Sequence, residues 1–206
     1  MINVQEIEPG LHYWTAPHPA WQGAADWPED VGCVCYEAPE QVVLIDPLVP
    51  DADERELWAM LDGWVKERPA VILLTAPWHL RSAPVVSQRY GLSIWAHELA
   101  RSRISCPTHS GRLPQDVELF VPKGAAEGQV AFFLRNPRAL VVAEFFMGTD
   151  GGLQVLASPA ERNLTAFRDS LETLLDLSVA HVLVAHGEPV IHNGREAIAE
   201  ALRAYG

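Results

Sequence analysis

Short β-branched runs alternate with stretches of helical spacing along this chain, and that alternation limits its folds to layered mixtures of sheet and helix. Val42-Val-Leu-Ile45 is apolar throughout and closes at Asp46-Pro47, the signature of a buried strand ending in a turn. Asp51 and Glu54 form a capping-box pattern, and the helix they open sets Leu57, Leu61 and Trp64 on one face. Val71–Leu74 is the next buried strand. Ser82 can cap a second helix carrying Pro84 in its first turn, and Leu92–Trp95 is a further strand. Residues 101–124, rich in Ser, Pro, Gly and His, read as a long loop with short pieces of structure at most. Gln129–Leu134 and Ala139–Phe146 are adjacent strands turning at Asn136-Pro137. Residues 160–177 place Leu164, Phe167, Leu171, Leu174 and Leu175 at helical spacing. His181–Val184 is a last strand, and a closing helix carries Ala197, Ile198, Ala201 and Leu202 inward. The pattern predicts one domain over residues 1–206, of α/β or α+β class, with sheets covered by helices.

Composition narrows the partners. Fifteen Lys and Arg against 27 Asp and Glu give a net charge of −12, which repels phosphate backbones and anionic lipid, so nucleic acid is not an expected partner. No apolar run approaches the roughly 20 residues of a membrane helix, and Met1–Ile7 shows no secretory pattern, so no membrane association is expected. Three cysteines, Cys33, Cys35 and Cys106, make no disulfide framework and fit a cytoplasmic setting. Cys33 and Cys35 share one strand face and read as packing residues.

Four landmarks in order then carry a resemblance. Leu44-Ile45-Asp46-Pro47 ends one strand in Asp, and Leu74-Thr75-Ala76-Pro77-Trp78-His79-Leu80-Arg81 follows another. Val142-Ala143-Glu144 precedes Gly148-Thr-Asp-Gly-Gly152, and Val184-Ala185-His186-Gly187-Glu188-Pro189 lies near the C-terminus. Together they resemble the metallo-β-lactamase fold, from about residue 7 to the end. That family has a Thr-His-X-His-X-Asp-His segment after a strand, a Gly-Asp strand end and a late Gly-His-Gly segment. The resemblance implies a four-layer α/β/β/α sandwich with a site at one edge of its two sheets.

Carried over residue by residue, the metal set is degenerate. The motif's histidines fall on Ala76, Trp78 and Arg81, and its Asp falls on Leu80. The downstream His-Thr-Pro-Gly segment corresponds to Ala125-Ala126-Glu127-Gly128. Glu144 stands where the bridging Asp would be, His186 matches outright, and His79 is one position out of register. The implied cleft therefore comprises Asp46, His79, Arg81, Glu144 and His186. Zinc needs about four ligands, so a two-metal site is not expected. Arg81 sets a permanent positive charge where a dication would sit, directed toward Glu144 or Asp46. Asp46 braces the loop at Thr75. His79 and His186 can also be plain structural histidines, with His79 turned to solvent above a buried Trp78 or Leu80.

The stretch from His12 to Pro28 is dense in aromatics and too Pro-rich for regular structure. Trp14, His18, Trp21 and Trp27, together with Trp78, either line an apolar pocket or a self-association surface, or pack as a minor core. The main expectation is a metal-free, pseudoenzyme-like protein that binds a small molecule or a protein partner, with no cofactor. One alternative is a hydrolase of an ester, thioester or amide with one zinc or iron ion held by His79, Glu144 and His186. Another is a structural or regulatory subunit.

Overall fold

The computed structural model describes residues 3–23, 27–50, 54–156 and 163–205. The chain divides into two compact units, residues 1–112 and 113–206, each with its own sheets and helices. The capping-box residue Asp51, the side chain of Glu54 and residues 160–162 of the expected long helix lie outside what is described.

The first unit is built on a six-stranded sheet in strictly sequential order, β1 to β6. Strands β1 (Val4–Glu8), β2 (Leu11–Pro17), β3 (Asp30–Glu37) and β4 (Val42–Ile45) form an antiparallel meander. Strands β5 (Ala70–Leu73) and β6 (Ser93–Trp95) then add in parallel. Parallel addition requires a crossover, supplied by α1 (Glu54–Val65) before β5 and α2 (Ala83–Tyr90) before β6. β4 is buried at all four positions, as its unbroken apolar run requires. Leu57, Leu61 and Val65 of α1 enter a core with Trp14, Cys33, Cys35, Leu44 and Ile72, and Trp64 packs partly buried against it.

One expectation is corrected at once. Residues 11–17 form the regular strand β2 despite the prolines that follow, paired along its length with β3. Leu11, Tyr13, Trp14 and Ala16 are buried, and Pro17 sits at the strand's last position, where a missing N–H does least harm.

The second unit contains a four-stranded sheet ordered β12-β9-β8-β7 and a hairpin, β10-β11. Its strands are β7 (Val117–Phe120), β8 (Ala131–Leu134), β9 (Ala139–Val142), β10 (Phe146–Thr149), β11 (Gly152–Val155) and β12 (His181–Leu183). β7 is one of the short pieces of structure allowed for in residues 101–124: Val117 is buried, and the strand is held antiparallel to β8. The expected strand Ala139–Phe146 is broken at residues 143–145, so Phe146 opens β10 instead. Helix α3 (Leu164–Glu172) starts at Asn163, whose side chain accepts from the Ala166 N–H, and runs on as a 3-10 turn to Asp176. Phe167, Leu171 and Leu174 are buried as the spacing predicts, whereas Leu164 is exposed in the first turn. Helix α4 (Gly194–Tyr205) buries Ala197, Ile198, Ala201 and Leu202, the face read from sequence.

Candidate functional site

In the first unit the motif segment leaves β5 at Leu74 and makes a 3-10 turn over Pro77–His79. Thr75, Ala76, Pro77 and His79 are buried while Trp78 is 36% exposed, so the histidine points inward and the tryptophan outward. Arg103 lies over the Trp78 ring at 5.4 Å.

Asp46 organises this turn. Its carboxylate accepts from the Thr75 N–H at 2.9 Å and from the Thr75 hydroxyl, and it meets His79 Nδ1 at 2.9 Å. Thr75 Oγ1 is also 2.9 Å from that nitrogen. Asp46, Thr75 and His79 are each no more than 3% exposed, so the carboxylate's lone pairs are met by protein donors rather than water. The expectation that Asp46 braces the loop at Thr75 describes this contact.

Arg81 is placed differently from expectation. Its Nη1 donates to the backbone carbonyls of Gly32 at 2.7 Å and Asp46 at 3.0 Å, so it reaches the main chain of Asp46 and not its carboxylate. The physical reason is that His79 and Thr75 already occupy that carboxylate. Asp46 and Arg81 both have left-handed backbones, at φ 48° and 41°, which bulky side chains avoid. Arg81 Nη1 also lies 3.7 Å from Cys33 Sγ. Burial pushes the Cys33 thiol up to about 11, with the guanidinium opposing the rise. Cys35 is likewise raised by burial. Ser82, expected as a helix cap, makes no capping bond. Its hydroxyl accepts from the Val49 N–H at 3.0 Å and ties the loop after β4 to the start of α2.

In the second unit Glu144 sits in the bend between β9 and β10, and His186 follows β12 in a loop that returns to the sheet. Val190 closes that return by exchanging both backbone hydrogen bonds with Val182 at 2.9 Å. His186 is 5% exposed, and its Nε2 stands 3.5 Å from Glu144 Oε1. Two glycines fix the arrangement. Gly148 donates its N–H to the His186 carbonyl at 2.9 Å. A Cβ on Gly148 would stand 1.8 Å from the Glu188 carbonyl oxygen, and one on Gly187 would stand 2.1 Å from that of Gly148. The sequence contained both glycines inside recognised landmarks, but nothing in their spacing revealed that the two backbones touch.

Among the described residues, the donors able to hold a metal ion are His79 in the first unit and Glu144 and His186 in the second. Around His79 the motif segment carries Ala76, Trp78, Leu80 and Arg81, none of which offers a lone pair to zinc.

The aromatic residues of the N-terminal stretch separate into two groups. Trp14 is fully buried in the first unit's core, with Nε1 donating to the Leu48 carbonyl at 3.2 Å, so for this residue packing replaces the pocket-lining role. Trp21 donates to the Trp27 carbonyl at 3.0 Å, and the His18 and Trp27 rings meet edge to face at 5.4 Å.

Comparison with solved structures identifies the class of fold. A metallo-β-lactamase from Pontibacter korlensis matches with a TM-score of 0.72 at 17% identity, over 98% of this chain and 99% of its own. The DIM-1 metallo-β-lactamase, in a crystal exposed to ceftazidime, matches with a TM-score of 0.73 at 14% identity, covering 100% and 98%. A metallo-β-lactamase from Hirschia baltica gives 0.70 at 13% identity, covering 98% and 97%. This chain has the metallo-β-lactamase fold, and its sequence stands far from these neighbours. Neither a protein-family model nor a curated protein sequence matches it.

Proposed function

We propose that this chain is a metallo-β-lactamase-fold protein that does not run two-metal hydrolysis and instead binds a small molecule or a protein partner without a metal. One observation carries the reading: the motif turn is bonded to its own unit. Asp46 holds Thr75 and His79, and Arg81 fills the last motif position as a fixed cation hydrogen-bonded to main-chain carbonyls. The His186–Glu144 pair repeats the theme, an imidazole partnered by a carboxylate of its own unit.

A second reading, a hydrolase with one zinc or iron ion, is favoured by a specific distance. Two donors each about 2.1 Å from one zinc at a tetrahedral angle stand roughly 3.4 Å apart. Glu144 Oε1 and His186 Nε2 stand 3.5 Å apart. In that reading His79 is the third donor, and Asp46 on Nδ1 makes Nε2 its ligating nitrogen. When bound, the ion would lower the pKa of a water toward neutrality and so supply a nucleophile.

Elemental analysis of protein purified without chelator separates the readings. Metal-free binding predicts no stoichiometric zinc or iron, and no thermal shift on adding either. About one ion per chain, lost in His186→Ala, establishes the second reading, and two ions per chain overturn both.

A further inference from the structure

The two larger sheets end in four outer strands, and three of those edges are guarded against further pairing. β1 carries the exposed Gln5 and Glu6 and a bulge between Glu6 and Glu8. The edge of β6 is taken by one rung from His109, opposite Trp95. The His109 N–H donates to the Ile94 carbonyl and its carbonyl accepts from the Ala96 N–H, both at 3.0 Å. The edge of β12 is taken by Val190. β7 ends the four-stranded sheet of the second unit without such a guard: among the described residues no strand or rung pairs with its outer side.

The register of β7 on β8 fixes which backbone groups face outward. The Arg135 N–H donates to the Asp116 carbonyl at 2.9 Å, and bonded pairs alternate along an antiparallel ladder. Asp116, Glu118 and Phe120 therefore turn their backbone groups toward β8, and Val117, Leu119 and Val121 turn theirs away. The Val117 N–H agrees with this alternation, since it donates to the Pro114 carbonyl at 3.0 Å and not to β8. The side chains of Val117, Leu119 and Val121 share one face of the strand and its continuation. Val117 is buried, but Leu119 is 38% and Val121 43% exposed. Pro122 has the parity that faces β8, so its missing N–H takes nothing from the outer edge.

We propose that β7 is a self-association edge, which pairs antiparallel with β7 of a second copy of this chain, centred on Leu119. The strand is complementary to itself in that register. Leu119 meets Leu119 and each Val117 meets a Val121, so the exposed apolar row is covered by its own repeat. Each Leu119 N–H donates to the other Leu119 carbonyl, and each Val121 N–H to a Val117 carbonyl, while the Val117 N–H stays with Pro114. Charge selects the same direction. Antiparallel pairing brings Asp116 of each copy beside Lys123 of the other, whereas in-register parallel pairing sets like beside like. Glu118 falls opposite Phe120 and keeps its own ion pair with Arg135. A joint of five residues a side falls below the roughly 1,200 Å² of a stable complex, so the dimer is weak and forms with concentration.

Sedimentation of the full chain should give the mass of one chain when dilute, rising toward that of two as concentration increases. Leu119→Lys, a charge on the open edge that leaves the bonds to β8 in place, should remain at one chain, with its urea midpoint showing that it is folded. Register is read by oxidising cysteine variants in a Cys106→Ser background, since Cys33 and Cys35 are buried. The Cα atoms of a bonded antiparallel pair stand about 5.5 Å apart, within reach of a disulfide, so Leu119→Cys should give a covalent dimer. Val121→Cys should not, because that position and its copy stand roughly 13 Å apart in this register. A mass of one chain at every concentration, dimerisation of Leu119→Lys at wild-type strength, or equal cross-linking of the two cysteine variants would each overturn the assignment. The wild-type sedimentation decides even where a variant fails to fold.

Discussion

The motif turn of the first unit and the His186 loop of the second each present a buried histidine beside a carboxylate, yet they are held in opposite ways. His79 is set by side chains: Asp46, Thr75 and Arg81 knit the turn together, two of them on left-handed backbones. His186 is set by main chain: Gly148 and Gly187 approach so closely that no Cβ fits between them. A polar knot fails when a charge or an acceptor is removed. A backbone contact fails when volume is added.

Adding volume should give the largest effect. Gly148→Ala forces a Cβ into the Glu188 carbonyl and should cost about 4 kcal/mol in urea unfolding, with the His186 loop displaced. An equally stable variant would show that this contact is loose in solution. Removing the knot's acceptor comes next. Asp46→Ala removes the acceptor shared by Thr75 and His79 and should cost about 3 kcal/mol, with Asp46→Asn, which tolerates the left-handed backbone, costing less. If the two substitutions cost the same, the carboxylate's charge is what holds the turn.

Alkaline pH probes the same region. The Cys33 thiol ionises at about 11 in the native chain against an ordinary 9.0. Between those values the unfolded state binds fewer protons than the native one, so stability falls as pH rises from 9 to 11, by on the order of 2 kcal/mol. A urea midpoint flat across that range would remove Cys33 from the account. Arg81→Lys should give the smallest effect, about 1 kcal/mol, because it keeps the charge and a single ammonium can serve both carbonyls that Nη1 serves, though on a shorter arm without the planar fork. A larger loss would mean that the guanidinium geometry, and not its charge, closes the turn.

What the sequence disclosed follows the range of the interactions. Buried strands such as Val42–Ile45 and the inner face of α4 were legible because period and composition are local properties. The Asp46–Thr75 brace was legible because both residues end strands at recognised landmarks. Arg81's acceptors were not, since Gly32 is a carbonyl from a distant strand and no side-chain pattern announces it. β7 was hidden in a Pro- and Gly-rich stretch, where only pairing with β8 reveals a strand. His109's rung on β6 was invisible for the same reason.

The order of the six-stranded sheet has a consequence in time. The connections among β1 to β4 are shorter than the crossovers that follow, even the longest of them, residues 18–29, so their contacts close smaller loops. β5 and β6 enter in parallel only after whole helices have been laid down between them, and closing those longer loops is slower. The motif turn hangs from β5 but is fastened to Asp46 at the end of β4 and to Gly32 in β3. The turn therefore lies where a meander of smaller loops meets a longer crossover, and His79 reaches Asp46 only when the β4–β5 crossover has closed.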